Sequence, residues 1–328
     1  MKKLLMIAIA ISIFASCKQE EIISDTTDNQ IAEVAYSRNE DKGILSFGSA
    51  EELQVFIKEH QTTDLLDVAR EFAEERRYIP LLLVYNSTAE EAKQLGLTEE
   101  ELPKVASEDD MLLFLLNENG EIGIEDKIYR IDGDFVYTYT RGSSKDITIF
   151  QNKYKEKGIK ISRGKTIEFS ENLTVYMHNN VQSKEEASLI SGRNKGFEYF
   201  DNDHRMRAKQ FNGYWKFYSS IGAKTTVQEK KRFLWWNWWK NIKGYNRLQT
   251  DVNYRVEYVG DKYYYYYQDK AEFHENYANN LEVFFEYSVG FPSAPFKYTP
   301  ISGKTIHWAH WYGGGAGSKN TVSKTLYY

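Results

Sequence analysis

The run Glu282-Val283-Phe284-Phe285-Glu286-Tyr287-Ser288-Val289 decides the fold class. Val283, Phe285, Tyr287 and Val289 share one parity, and Glu282 and Glu286 fall on the other. Successive strand side chains point to opposite faces, so this alternation predicts a half-buried β-strand with its carboxylates turned outward. Ile167, Phe169, Leu173, Val175 and Met177 show the same parity, and short strand-like runs between Asn, Asp, Gly and Lys clusters continue to the C-terminus. Aromatic residues make up 15% of the chain, with 25 Tyr, 18 Phe and 7 Trp, and most follow residue 197. Aromatics suit pleated, half-buried surfaces and also binding faces. The expectation for residues 159–328 is an aromatic-rich antiparallel β-sandwich of one or two Greek keys, with a partly open barrel as the second architecture.

Upstream, the polar and basic stretch from Ser143 to Gly164 marks a boundary, and residues 46–158 read as a small helical, α+β region. Ser49-Ala50-Glu51-Glu52 has capping-box spacing, and Leu53, Phe56, Ile57 and His60 follow on one helical face. His60 closes that stripe as half-buried packing. A second amphipathic pattern holds Leu65, Val68, Ala69, Phe72 and Ala73. Pro80 interrupts it, so Leu81 to Tyr85 reads as a short extended or buried segment. Capping spacings recur at Thr88 and Thr98, and Ser107 opens a segment with Met111, Leu112, Leu115 and Leu116 apolar. The turn cluster Asn117 to Glu121 then leads into a hairpin or three-strand meander through Tyr139. The whole is an α+β chain.

The first residues address the chain. Lys2 and Lys3 precede an almost unbroken apolar run, Leu4 to Phe14, and Ala15-Ser16-Cys17 follows. A run of that length is too short to cross a bilayer and reads as a secretory signal, residues 1–16. Phe14-Ala15-Ser16-Cys17 resembles a bacterial lipobox, although leucine is missing three positions before the cysteine. That resemblance implies lipidation of Cys17 and a membrane anchor. Residues 17–45 read as a flexible tether of polar composition. The charged Lys18-Gln19-Glu20-Glu21 resembles the surface-export signal of Bacteroidota-type lipoproteins, which implies outer-membrane sorting and surface exposure. The runs Leu115 to Ile122 and Ile128 to Ile131 resemble a stretch of uncharacterised lipoproteins of that type, a family that brings no known active site.

Composition narrows the chemistry. The 328 residues carry a net charge of -5, two units more negative once Lys2 and Lys3 leave with the signal, which disfavours nucleic acid as a partner. Cys17 is the single cysteine, so no internal disulfide, thiolate metal site or cysteine nucleophile is available. No serine-hydrolase, zincin or comparable signature occurs. Neither a catalytic residue nor a cofactor is assigned.

The most conspicuous segment is Arg232-Phe233-Leu234-Trp235-Trp236-Asn237-Trp238-Trp239-Lys240. In a strand it presents indoles on both faces, one set for the core and the other suited to stacking on pyranose rings or entering a membrane surface. Trp235, Trp236, Trp238 and Trp239 are therefore the candidate ligand-binding residues, with packing as the competing explanation. Tyr263 to Tyr267 reads as a solvated strand. His307 and His310, three apart in a strand, point to opposite faces and share no metal. Asp201-Asn202-Asp203 beside His204 reads as a turn rather than a calcium loop. Glu257, Glu272, Glu275, Glu282 and Glu286 read mostly as outward charges. The functional expectation is a non-catalytic binding or interaction module at the cell surface, with glycan as the first ligand class. The alternatives are a surface glycan hydrolase and an adhesive partner of another envelope protein.

Overall fold

The computed structural model describes residues 43–328 except 62, 77, 88–104, 106, 108, 157, 179–194, 234–235, 261–263 and 314–319. Cys17, the signal and most of the tether lie outside the described residues, as do the spacings at Thr88 and Thr98.

Helix α1 (Ala50–His60) starts where the capping residues place it. Ser49 Oγ accepts from the Glu52 N–H at 3.3 Å, and the Glu52 carboxylate accepts from the Gly48 N–H at 2.7 Å, one residue upstream of the usual box. Leu53, Phe56 and Ile57 are buried, and the His60 ring stacks on Phe56 at 4.3 Å while its Nδ1 donates to the Phe56 carbonyl at 2.8 Å. Helix α2 (Leu65–Arg76) follows, with Leu65, Leu66, Ala69 and Phe72 buried.

Leu81 to Tyr85 is buried through Val84, one of the two expectations, but it is not extended. It belongs to a short helix, α3 (Leu81–Asn86), with Leu81 to Val84 all buried. Pro80 stands at the start with φ -61°, where a missing N–H breaks no helical bond, so it initiates rather than interrupts. In α4 (Asp110–Leu115) every residue is buried, and Asp109, not Ser107, is the cap: its Oδ1 accepts from the Leu112 N–H at 2.9 Å.

The first sheet combines β1 (Ser46–Phe47), β2 (Glu121–Ile124), β3 (Lys127–Asp132), β4 (Phe135–Thr140), β5 (Thr166–Ser170) and β6 (Leu173–Met177) in the order β1-β2-β3-β4-β6-β5. The meander is present as β2 to β4. Helix α5 (Lys145–Lys155) sets Phe150 against Ile128, Tyr137, Leu173 and Val175. Because β6 pairs with β4, the strands of 166–177 complete this sheet instead of opening the next. The change of sheet therefore comes after residue 178, and the polar stretch before it is partly occupied by α5.

The remaining strands are β7 (Lys195–Tyr199), β8 (His204–Tyr214), β9 (Tyr218–Phe233), β10 (Trp236–Ile242), β11 (Gly244–Tyr258), β12 (Tyr265–Ala278), β13 (Asn280–Val289), β14 (Phe296–His310) and β15 (Thr321–Tyr327). A second sheet runs β10-β9-β8-β7, and β13 joins it on β9; a third runs β12-β11-β14-β15. All pairings within these two sheets are antiparallel. Ile221 and Ala223 of β9, Val283 and Phe285 of β13, Leu248, Val252, Tyr254 and Val256 of β11 and Tyr298 of β14 form one core cluster between them.

Strand β9 is buried at every position from 218 to 228. A strand buried on both faces needs cover on both. The third sheet covers one face. The segment around α4 covers the other, where Asp109 bonds Tyr218 and Ser220. Among the described residues no helix is long and apolar enough to cross a membrane.

Candidate functional site

Two places concentrate chemistry. On the covered face of the second sheet, Lys209, Lys224 and Glu282 are directly opposite one another across β8, β9 and β13. Helix α4 brings its N-terminus onto this row. Asp110 accepts from Lys224 Nζ and from Asn280 Nδ2, while both Glu282 oxygens accept from the Asp110 N–H at 3.1 Å. Asp109 Oδ2 accepts from Tyr218 at 2.7 Å and from Ser220. The unpaired N–H groups and dipole of a helix N-terminus favour carboxylates there.

Burial dominates the electrostatics of this row. It pushes the Glu282 carboxyl well above its ordinary range, and the neighbouring Asp110 carboxylate adds to the rise. Burial also raises Asp109, against hydrogen bonds from Ser220, Leu112 and Tyr218 that favour its charged form. Lys209 is held well below its ordinary value by burial, with Lys224 contributing. Glu282 is thus not an outward charge: its side chain is 6% exposed. Alternation placed it on the correct face, and that face is covered. The geometry of the cluster fastens α4 to the sheet.

The outer face of the third sheet is different. Even-numbered residues of β11 from 244 to 256 point inward, and the odd-numbered ones point out. Register then sets Tyr277, Tyr245, His310 and Thr321 in one row across four strands. Glu275, Arg247, Trp308 and Ser323 form the next row, and Phe273, Gln249, Ile306 and Thr325 the third. A cleft of about 240 Å³ opens among Tyr245, Arg247, Phe273, Trp308, His310 and Tyr312. Phe273 is 55%, Tyr277 64% and Tyr312 79% exposed.

Polar groups are fixed among these rings. Arg247 Nε donates to Glu275 at 3.1 Å, and its guanidinium lies 5.1 Å from the Tyr245 ring centroid. Hydrogen bonding to Tyr245 raises the Arg247 pKa further. His310 Nδ1 is 2.7 Å from Thr321 Oγ1, and its ring lies 4.1 Å from that of Tyr312. Flat apolar rings beside fixed donors and acceptors can hold a ligand that has both apolar faces and hydroxyls.

His307 and His310 do take opposite faces of β14. His307 is fully buried between Thr225 and Thr305, and burial lowers its pKa to about 3. Asp201 forms the turn expected of it, accepting from the N–H groups of Asp203 and His204 at 2.8 Å. Among the described residues no group of three or more metal-ligating side chains could hold an ion.

Of the candidate tryptophans, Trp235 lies outside the described residues, as do the side chains of Trp236 and Trp238. Trp239 is half-buried, and Arg205, which also covers Phe197 at 4.1 Å, lies 3.9 Å over its ring. One face of that indole is therefore occupied. Apart from His310, weighed only as a metal ligand, the residues of the outer cleft do not stand out in the sequence, yet a signal exists: the strict alternation of Leu248, Thr250, Val252 and Tyr254 with Arg247, Gln249, Asp251 and Asn253. No protein-family model, curated protein or solved structure matches the chain.

Proposed function

We propose that the protein is a lipid-anchored glycan-binding module of the outer membrane, and that the outer face of the third sheet is its binding surface. The observation that carries this reading is the cleft of Tyr245, Phe273, Trp308 and Tyr312 with Arg247 fixed inside it. The C–H faces of pyranose rings pack on aromatic rings, and an arginine held by Glu275 offers directed donors to hydroxyls. Binding is favoured over cleavage because glycoside hydrolysis commonly takes two carboxyls flanking the bond. The cleft's described lining contains none. The core shared by the second and third sheets supports reading the pair as a β-sandwich, one sheet of which offers its outer face. Lipidation at Cys17 and surface export rest on the resemblances of the first residues.

A glycan array probed with the full chain tests the binding reading. Retention of a defined glycan class by the parent, lost in Trp308→Ala with an unchanged thermal midpoint, supports it. No retention of any glycan, or retention unaffected by Trp308→Ala and Tyr245→Ala, refutes it. For the anchor, Cys17→Ser should release the protein from the membrane fraction.

A further inference from the structure

Strand β12 is an edge. It pairs with β11 over fourteen residues, from Gly244 with Ala278 to Glu257 with Tyr265, without a bulge, and no described strand pairs with its other side. It contains no proline. A long, regular, unpaired edge is a template for another strand. We infer that this edge pairs antiparallel with β12 of a second copy of the chain, about a two-fold axis at Ala271.

The register follows from charge and backbone direction. Glu272 turns its N–H and carbonyl toward Thr250 of β11. Backbone groups alternate along an antiparallel strand, so the odd-numbered residues turn theirs to the open edge. A two-fold pairing must set odd residues against odd ones to keep both sheets facing the same way. Centring on Lys270, Glu272 or Asp269 sets that charge against its own copy, which is unfavourable. Centring on Ala271 sets small residues at the axis and Lys270 against Glu272 twice. Tyr265 then lies opposite Tyr277 at both ends, so thirteen residues of each copy are paired. Asp269 and Glu275 are already engaged within the chain by Asn253 and Arg247. Lys270 and Glu272 are 2.8 Å apart in one copy, so the dimer extends an existing ion pair into a four-charge network. The contact is isologous and closed, which limits it to two copies.

The test uses the full chain with Cys17→Ser, which leaves no other thiol. Opposed residues of an antiparallel hydrogen-bonded pair have Cα atoms about 5.5 Å apart, within disulfide reach. Ala271→Cys should therefore cross-link to a covalent dimer under mild oxidation, whereas Phe273→Cys, displaced from its own copy, should not. In sedimentation equilibrium the parent should dimerise, and Lys270→Glu should weaken dimerisation roughly tenfold or more by setting glutamates opposite each other twice. The exchange Lys270→Glu with Glu272→Lys keeps the intrachain pair and should restore the dimer. A parent that stays monomeric at every concentration overturns the inference. So does cross-linking at Phe273→Cys in place of Ala271→Cys, or a double exchange that fails to restore association.

Discussion

The covered face of the second sheet holds charges, and the open face of the third holds rings. Lys209, Lys224, Asp109 and Asp110 are each no more than 5% exposed, while Phe273, Tyr277 and Tyr312 are all more than half exposed. This reverses the usual assignment of residue types to inside and outside. The reason is the number of covers each sheet has. The second sheet is packed on both faces along β9 from 218 to 228, so a charge there is buried and must find partners. The third sheet is packed on one face, so rings on its other face stay wet. A polar group kept inside with partners tells of fastening; an apolar group kept outside without cover tells of recognition.

The comparison breaks most sharply at Lys224. Replacing it by Met removes a buried cation that reaches both Asp110 and Glu282. Breaking a buried pair from one side leaves an uncompensated charge and costs about 3–5 kcal/mol. Urea unfolding should show that loss as a lower midpoint with an unchanged slope. A change under 1 kcal/mol would mean that water reaches the cluster.

The same cluster makes a prediction about pH. Glu282 holds its proton more tightly in the folded chain than in the unfolded one, where its value is near 4.5. A carboxyl raised on folding contributes its stability in full below the unfolded value and loses it as pH rises through the folded value. Stability should therefore decline with rising pH above the ordinary carboxylate range, and Asp109 adds a contribution of the same sign. Lys209, lowered by burial, acts oppositely on the alkaline side, where stability rises toward its ordinary value of 10.5. Glu282→Gln should flatten the first decline and leave the second trend in place. Urea midpoints across the pH range give both slopes, and an identical profile in the variant would remove Glu282 as the source.

On the open face the expected effect is on binding, and it is smaller in energy. Trp308→Ala should weaken a retained glycan about tenfold or more, the loss of one central contact of about 1.4 kcal/mol or above. Calorimetric titration against the best glycan from the array measures it directly.

How much of this was legible in the sequence depends on the element. The β-rich second half, the meander, the α1 cap and the opposed histidines follow from period and spacing, which are local. Pro80 misled because the same residue that breaks a helix interior fits its first position, and spacing alone does not tell the two apart. Glu282 misled because alternation reports which residues share a face and is silent on what covers that face. The partner of Glu282 is Lys224, fifty-eight positions away in sequence and adjacent only through the β9–β13 register. The tryptophan run drew attention by composition. The cleft instead collects single residues, Tyr245, Phe273, Trp308 and Tyr312, from separate strands and a strand end, and no window of sequence contains them together.

The smallest predicted effect separates recognition from packing. Tyr277 lies in the same cross-strand row as Tyr245 on the outer face and is 64% exposed. Tyr218, of identical chemistry, is fully buried and donates to Asp109. Tyr218→Phe removes one hydroxyl and leaves a buried carboxylate short of a donor, which costs about 1–3 kcal/mol. In a Lys270→Glu background, where no second copy sets Tyr265 opposite it, Tyr277→Ser removes a whole ring yet should change stability by no more than about 0.5 kcal/mol, because exposed substitutions away from caps and networks stay within that range. Paired thermal and urea melts of the two variants make the contrast. If Tyr277→Ser destabilised the chain as much as Tyr218→Phe, the outer rings would be supporting the sheet, and their exposure would no longer argue for a ligand.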